Sequence, residues 1–448
     1  MSTVAAISTP RGKGGVALIR ISGEDAVSVC RKVFAPASGK DITEYPAGRA
    51  VHGYFRDKDG NFDDGLAYLF LSPRSFTGED TAELCCHGGT LVQEKLLRAC
   101  FWAGATPAGA GEFTRRAYIN GKITLSQAEA VGGLIDAHTE KHLEVSLRQL
   151  DGNISKKIDE ICSSLILTAA TVYAYIDYPD EDMTDMSVSE MAQRLTDAKN
   201  KLLSLAGTHK YGKAISEGIP TVIAGKPNTG KSTLMNLLCG TDRAIVTDIA
   251  GTTRDVITEQ VKVDDILLNL ADTAGIRESD ETVEAAGIKR SIKEIEKASL
   301  IIAVFDGSTP FTDEDEELIT LLEDKKDRVI AVINKSDKGC EVKTPFAECV
   351  YMSARTVDGF EALKEKIRLF AGQADINTED IIVSARQYGA IERAIENIDD
   401  ALTALNGFTQ DIAGECIERA ISALGEIDGR TATQEIVNEI FSHFCVGK

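Results

Sequence analysis

The sequence has no long hydrophobic run, no paired-cysteine spacing and no excess of positive charge, and each absence excludes a class of protein. No apolar stretch reaches the ~18 residues that a membrane-spanning helix needs, and the N-terminus shows no secretory pattern. A soluble, cytoplasmic chain with no membrane span is therefore expected. The ten cysteines are scattered apart from Cys85-Cys86 and form no C-x-x-C. That spacing suits reduced thiols better than a disulfide framework or a zinc site. Glu140 is misplaced between His138 and His142 for a zinc-peptidase helix, so these histidines are read as solvated helix residues. Gly12-Lys13-Gly14 lacks the third glycine of a dinucleotide fingerprint, and Cys445 precedes a terminal lysine unsuited to a prenylation box.

The missing positive charge is unevenly distributed. The net charge is −21, yet residues 1–122 hold 15 Lys/Arg against 13 Asp/Glu, a balance of +2, which leaves −23 for the rest. A nucleic-acid binder normally shows a basic face. If this chain works on RNA, it should bind weakly alone and rely on a partner for positive charge.

What is present is organised around Gly225-Lys226-Pro227-Asn228-Thr229-Gly230-Lys231-Ser232, between the apolar run Thr221–Ala224 and a helical pattern beginning at Thr233. G-x-x-x-x-G-K-S between strand and helix is a phosphate-binding loop. Its backbone N–H groups turn inward on a polyphosphate and the helix N-terminus adds positive potential. Lys231 can reach the β- and γ-phosphates, and the Ser232 hydroxyl can ligate Mg²⁺.

Further nucleotide segments follow in order. A hairpin over 256–263 and 266–271, turning at Asp264-Asp265, leads into Asp272-Thr273-Ala274-Gly275, where Asp272 would hold Mg²⁺ through water and the Gly275 N–H would meet the γ-phosphate. Between loop and hairpin lies Thr247-Asp248-Ile249-Ala250-Gly251-Thr252-Thr253, whose Thr253 would complete the Mg²⁺ shell when GTP is bound. Asn334-Lys335-Ser336-Asp337 follows the apolar strand Val329–Ile333, and the Asp337 carboxylate can accept guanine N1–H and N2–H. Adenine lacks both donors, so GTP is expected over ATP. Ser353-Ala354-Arg355 would place a backbone amide near guanine O6. Ile276 follows Gly275, where signalling GTPases place a water-orienting glutamine, so a carboxylate from Glu278, Asp280, Glu281 or Glu284 must substitute. Asn228 offers a neutral oxygen to a cation near the phosphates, where K⁺ could replace an arginine finger's charge.

Around this segment the pattern changes. Residues 1–122 read as mixed α and β, with strands at 4–7, 16–21, 50–55, 66–71 and 81–86, a helix at 90–103 and a loop at 107–113. Helices are expected at about 126–150, 154–176, 188–206, 384–406, 410–424 and 431–443. The fold expected is an α/β P-loop GTPase domain (214–373) inserted into an α-helical bundle (123–213 and 374–448), preceded by the α+β domain (1–122).

Several stretches outside the nucleotide segment carry a more specific resemblance: Arg20-Ile21-Ser22-Gly23, Ser75-Phe76-Thr77-Gly78-Glu79-Asp80, His87-Gly88-Gly89, Gly111-Glu112-Phe113-Thr114 and the terminal Phe444-Cys445-Val446-Gly447-Lys448. With the inserted GTPase segment they resemble the bacterial tRNA-modification GTPase family MnmE (TrmE) over essentially the whole length. The resemblance implies a homodimer joined through folate-binding N-terminal domains, holding 5-formyl- or 5,10-methylene-tetrahydrofolate. It implies a heterotetramer with the FAD-dependent partner MnmG, which would bring the tRNA, and aminomethyl or carboxymethylaminomethyl addition at C5 of the wobble uridine. It assigns Arg20, Glu83, Lys122 and Lys448 to folate; Asn228, Thr247, Ile249 and Thr252 to K⁺; Ser232 and Thr253 to Mg²⁺; and Glu284 to orienting the attacking water. The GTP contacts it implies are Asn228 to Thr233, Thr247 to Thr253, Asp272 to Gly275, Asn334, Lys335, Asp337 and Ser353 to Arg355. Cys445 is a further candidate beside the folate, without an activating base in the sequence. The competing expectation is a GTP-driven ribosome or RNA assembly switch with no chemistry outside its GTPase domain.

Overall fold

The structure, a computed structural model, describes residues 2–177, 187–241, 259–271, 293–340, 342–372, 380–407 and 410–448. The chain forms two compact units, one of residues 1–132 with 425–448 and the other of residues 133–424.

The first unit is built on a seven-stranded sheet in the order β3-β4-β5-β6-β2-β1-β7. Its strands are β1 (Val4–Ile7), β2 (Val16–Ser22), β3 (Phe34–Pro36), β4 (Val51–Asp57), β5 (Gly60–Phe70), β6 (Thr81–His87) and β7 (Thr106–Pro107). Alternation along β4, β2 and β6 sends Val51, Phe55, Ile19, Ile21, Ala82 and Leu84 to one buried face. Val29, Cys30 and Val33 of helix Ala26–Val33, with Leu96 and Cys100 of helix Thr90–Trp102, complete that core. The segment 107–113, expected as a loop throughout, instead opens helix Glu112–Ile119 at its end.

The C-terminus is inlaid in this unit through its backbone. Gly111 N–H donates to Cys445 O at 3.3 Å and Phe113 N–H to Lys448 O at 2.9 Å, while Val446 bridges Ala110. Gly447 sits at φ +101°, and a Cβ there would come within 2.1 Å of Ile7 O, so only glycine fits.

The second unit centres on a six-stranded sheet in the order β13-β12-β11-β8-β10-β9. Its strands are β8 (Ile219–Ala224), β9 (Glu259–Val263), β10 (Ile266–Leu270), β11 (Leu300–Asp306), β12 (Val329–Asn334) and β13 (Cys349–Tyr351). Only β9 runs antiparallel. β11 and β12 are buried almost end to end, as parallel strands covered on both faces must be. One face packs on Leu234, Leu238, Leu363 and Ile367 and continues into Val145, Tyr211 and Ile215 of the helical part. The hairpin turns at Asp264-Asp265 as expected, with Asp264 at φ +53°; residues 256–258 lie outside the described residues.

Helices Asn153–Asp177, Val188–Ala206, Ala385–Asn406, Gln410–Asp428 and Gln434–Ser442 lie close to their expected spans. The expected helix 126–150 is two, Leu125–Ile135 and Glu140–Leu150. Thr139 starts the second by accepting from His142 N–H at 3.1 Å. His142 is buried rather than solvated, and burial pushes its pKa down. All ten cysteines are free thiols. No helix among the described residues is long and apolar enough to cross a membrane.

Candidate functional site

The order of the second sheet determines where a ligand can sit. In the sheet β8 lies between β10 on one side and β11 on the other, so the crevice at the carboxyl end of β8 is a switch point. The phosphate loop leaves β8 there and feeds helix Lys231–Thr241. Gly225 lies at φ +154° and Gly230 at φ +98°; a Cβ on the first would meet Val304 O at 2.4 Å and on the second Asn334 Nδ2 at 2.1 Å. Asn228 adopts φ +63°. Lys231 folds back over the loop, donating to Gly225 O at 2.7 Å and Lys226 O at 2.8 Å. Burial lowers its pKa, so an anion that joins it relieves a real desolvation cost.

Asn334 ties the loops expected to meet the base to the phosphate loop. Its Nδ2 donates to Thr229 O at 2.8 Å, and its Oδ1 accepts from Ala354 N–H at 2.9 Å. Both bonds are buried, so this residue holds the loops after β12 and β13 against the phosphate loop. Lys335, at φ +65°, donates to Asp306 Oδ2 at 2.6 Å. Burial would raise the Asp306 carboxyl, but hydrogen bonds from Lys335 and Ser308 outweigh it and hold the acid below its ordinary range. Asp337 stands exposed in the short turn Ser336–Lys338 and makes no hydrogen bond among the described residues, which leaves its carboxylate for a ligand. Ser353 is buried and Arg355 exposed.

Thr247–Thr253, Asp272–Gly275, Ile276 and Glu284, with Glu278, Asp280 and Glu281, lie outside the described residues. Of the expected metal ligands only Ser232 and Asn228 are described. Their hydroxyl and amide oxygens are the donors that hard cations take, and they flank a cradle that a Cβ would fill.

A residue the motifs did not single out completes the loop. Lys226 Nζ pairs with Asp315 Oδ2 at 2.5 Å, with side chains 16% and 2% exposed. Thr312 N–H and Oγ–H bond to the same oxygen, while Asp315 Oδ1 has no partner. The only sequence signal is Thr312-x-x-Asp315, a capping pair opening helix Asp313–Leu321. Removing one member of a buried pair strands the other charge, so Lys226→Met should cost roughly 3 kcal/mol of stability. Pairing it with Asp315→Asn, which removes the charge but keeps an acceptor for Thr312, should recover most of that loss in chemical denaturation. A double variant no more stable than the single one would contradict the ion-pair account.

The expected folate residues lie in the first unit. Arg20 Nη2 and Nε bond Glu83 Oε1 at 2.8 and 2.9 Å across paired strands. The Arg20 guanidinium also lies 5.6 Å from the Phe76 ring centre and 5.4 Å from that of Phe113. The Phe113 amide holds the Lys448 carbonyl, so Arg20, Glu83 and the backbone of the tail converge there. Lys122 donates instead to Pro73 O at 3.0 Å, on the loop that carries Phe76. The sequence reading missed Arg116, 2% exposed, which bonds Glu79 at 2.8 Å and Glu112 at 2.9 Å behind the same cluster.

The meeting of these loops at one switch point defines the class: the second unit holds a P-loop domain of the guanine-nucleotide-binding kind. Comparison with known proteins narrows it. The description "GTP-binding protein TrmE N-terminus" matches residues 3–122 and "MnmE helical domain" matches residues 125–445. The tRNA modification GTPase MnmE of Clostridioides difficile is 38% identical over all of this chain and 99% of that protein. Its counterpart in Thermotoga petrophila is 39% identical over the full length of both. The solved translation elongation factor SelB of Methanococcus maripaludis is similar at 21% identity over 35% of this chain and 34% of that one, with a TM-score of 0.26, too low to carry an argument. The chain belongs to the MnmE (TrmE) family of tRNA modification GTPases, and with that family it is a GTP hydrolase.

Proposed function

We propose that this protein is a potassium-dependent GTPase that, with an FAD-dependent MnmG partner, adds an aminomethyl or carboxymethylaminomethyl group to C5 of the tRNA wobble uridine. The one-carbon unit comes from 5,10-methylene-tetrahydrofolate, with 5-formyl-tetrahydrofolate as the related ligand of the same site. The observation that carries the reading is the Asn334 bridge, which locks guanine-side loops to a phosphate loop in a chain matched along its whole length by this family. The domain division is 1–122, 123–213, 214–373 and 374–448, and family matches that meet between residues 122 and 125 support its first boundary. The working form is a cytoplasmic homodimer in a heterotetramer with the partner, which supplies most of the tRNA contact for an acidic chain.

In the GTPase domain, Lys231 and the loop amides bind the phosphates and Asp337 accepts from guanine. Bound Mg²⁺ supplies neutralisation of phosphate charge, held by Ser232 and Thr253. Asn228, Thr247, Ile249 and Thr252 provide oxygens for K⁺, and Glu284 orients the attacking water. In the first unit, Arg20, Lys122 and Lys448 offer cations to the folate's carboxylates, and Glu83 accepts from the pterin N–H edge.

Calorimetry with a reduced folate tests the reading where local chemistry demands it least. Wild-type protein should bind, and Arg20→Ala should weaken binding by ~1.5–3 kcal/mol, a charged hydrogen bond's worth. Absence of folate heat with the wild type would overturn the folate assignment and leave the nucleotide site untouched.

A further inference from the structure

Away from the sites above, three neighbouring strands of the first unit bring two imidazoles and two carboxylates together. On β4 the inward residues are Val51, Gly53 and Phe55; on β5, Ala67 and Leu69; on β6, Ala82, Leu84 and Cys86. A period of two therefore sends His52, Asp64 and His87 to the opposite face, the one not covered by helices Ala26–Val33 and Thr90–Trp102. Asp63 has the inward parity of β5, yet opposite the register shift at Phe55/Arg56 its carboxylate meets His87. Its Oδ1 lies 2.7 Å from His87 Nδ1, and its Oδ2 accepts the His87 backbone N–H at 3.0 Å. His52 Nε2 lies 3.2 Å from Asp64 Oδ2.

Donor atoms of Asp63, Asp64 and His87 all lie within 4.8 Å of one another. Among the described residues no lysine or arginine pairs with Asp63 or Asp64; the partners of these carboxylates are the imidazoles of His87 and His52. The Asp63 side chain is 9% exposed and its orientation is fixed from the backbone, so one oxygen is held while the other faces the imidazole.

We propose that Asp63, Asp64 and His87, with His52 joining through Asp64, form a binding site for one divalent transition-metal ion, zinc by preference. One imidazole nitrogen with two carboxylate oxygens, a three-ligand set that water completes, suits zinc, cobalt or nickel over magnesium or calcium. Bonds of ~2.0–2.2 Å to such a centre put neighbouring donors a little over 3 Å apart. Spacings of up to 4.8 Å must close to that value, and side chains that are 51% (Asp64) and 65% (His87) exposed have room to turn. On binding, the proton shared between His87 Nδ1 and Asp63 Oδ1 leaves to solvent, and both atoms turn to the ion. The Asp63 Oδ2 bond to the backbone stays and keeps the carboxylate in place. The site uses none of the residues assigned to GTP, Mg²⁺, K⁺ or folate.

Cobalt(II) chloride titrated into metal-stripped, full-length protein, followed by visible d–d absorption, tests this. One equivalent should bind per chain, zinc should displace it, and excess Mg²⁺ should not. His87→Ala and Asp64→Asn should each weaken cobalt binding at least ~10-fold, and His52→Ala should weaken it less. Near-native circular dichroism and thermal unfolding of all three variants verify that the first unit, which carries the substitutions, still folds. No cobalt spectrum, unchanged affinity in His87→Ala, or a thiolate charge-transfer band that places the ion on a cysteine would each overturn the proposal.

Discussion

Asp337→Asn should move nucleotide preference from GTP to xanthosine triphosphate by at least ~10²-fold, since two charge-assisted hydrogen bonds are lost to guanine. The carboxylate makes no bond to the described protein, so its acceptor capacity is free for the base. An amide turns one acceptor into a donor, which faces the guanine N–H groups badly and the xanthine C2 carbonyl well. The turn that carries it is pinned independently, by Ser336 N–H to Met352 O at 3.1 Å, so the substitution should leave the loop in place. Competition binding with both triphosphates reads the ratio directly. Unchanged GTP affinity in the variant would remove Asp337 from the site.

The second large effect concerns turnover. Ile276 cannot polarise water, and the family pattern gives that task to Glu284, nine positions after Gly275. Orienting a water is a positioning effect, commonly ~10²-fold or more in rate. Glu284→Ala should bind GTP and pair its GTPase domains in K⁺ almost normally, yet hydrolyse GTP at least ~100-fold more slowly. Replacing K⁺ by Na⁺ should slow the wild type differently, through failure of the domains to pair. Single-turnover assays in both cations separate these routes. Near wild-type turnover in Glu284→Ala, with loss in Glu281→Ala, would reassign the catalytic carboxylate.

Local chemistry made much of this molecule legible in advance. Val329–Ile333 reads as a strand because it is unbroken apolar sequence, and β12 is buried throughout. Helix Val188–Ala206 matches its expected span, and a capping box between Ser187 and Glu190 fixes its start. The helix break at 136–139 was hidden because apolar periodicity runs on both sides of Thr139, and only the cap shows where the second helix begins. Helices Glu112–Ile119 and His209–Ser216 are too short for periodicity to separate them from a glycine-rich loop or a preceding helix. Long-range pairs left no local trace. Lys226 and Asp315 are 89 positions apart, and the tail docks through amides and carbonyls that every residue owns. The phosphate loop was readable because its chemistry is contiguous; Arg116 was not, because Glu79 lies 37 positions away.

The central claim is that this GTPase serves wobble-uridine modification, and an assembly switch would share every nucleotide-binding feature. Mass spectrometry of tRNA nucleosides from a strain lacking the gene separates the two most directly. The C5-aminomethyl or carboxymethylaminomethyl uridines should disappear and return with the wild-type gene, but not with Glu284→Ala. Unaltered wobble uridines in the deletion strain would contradict the account.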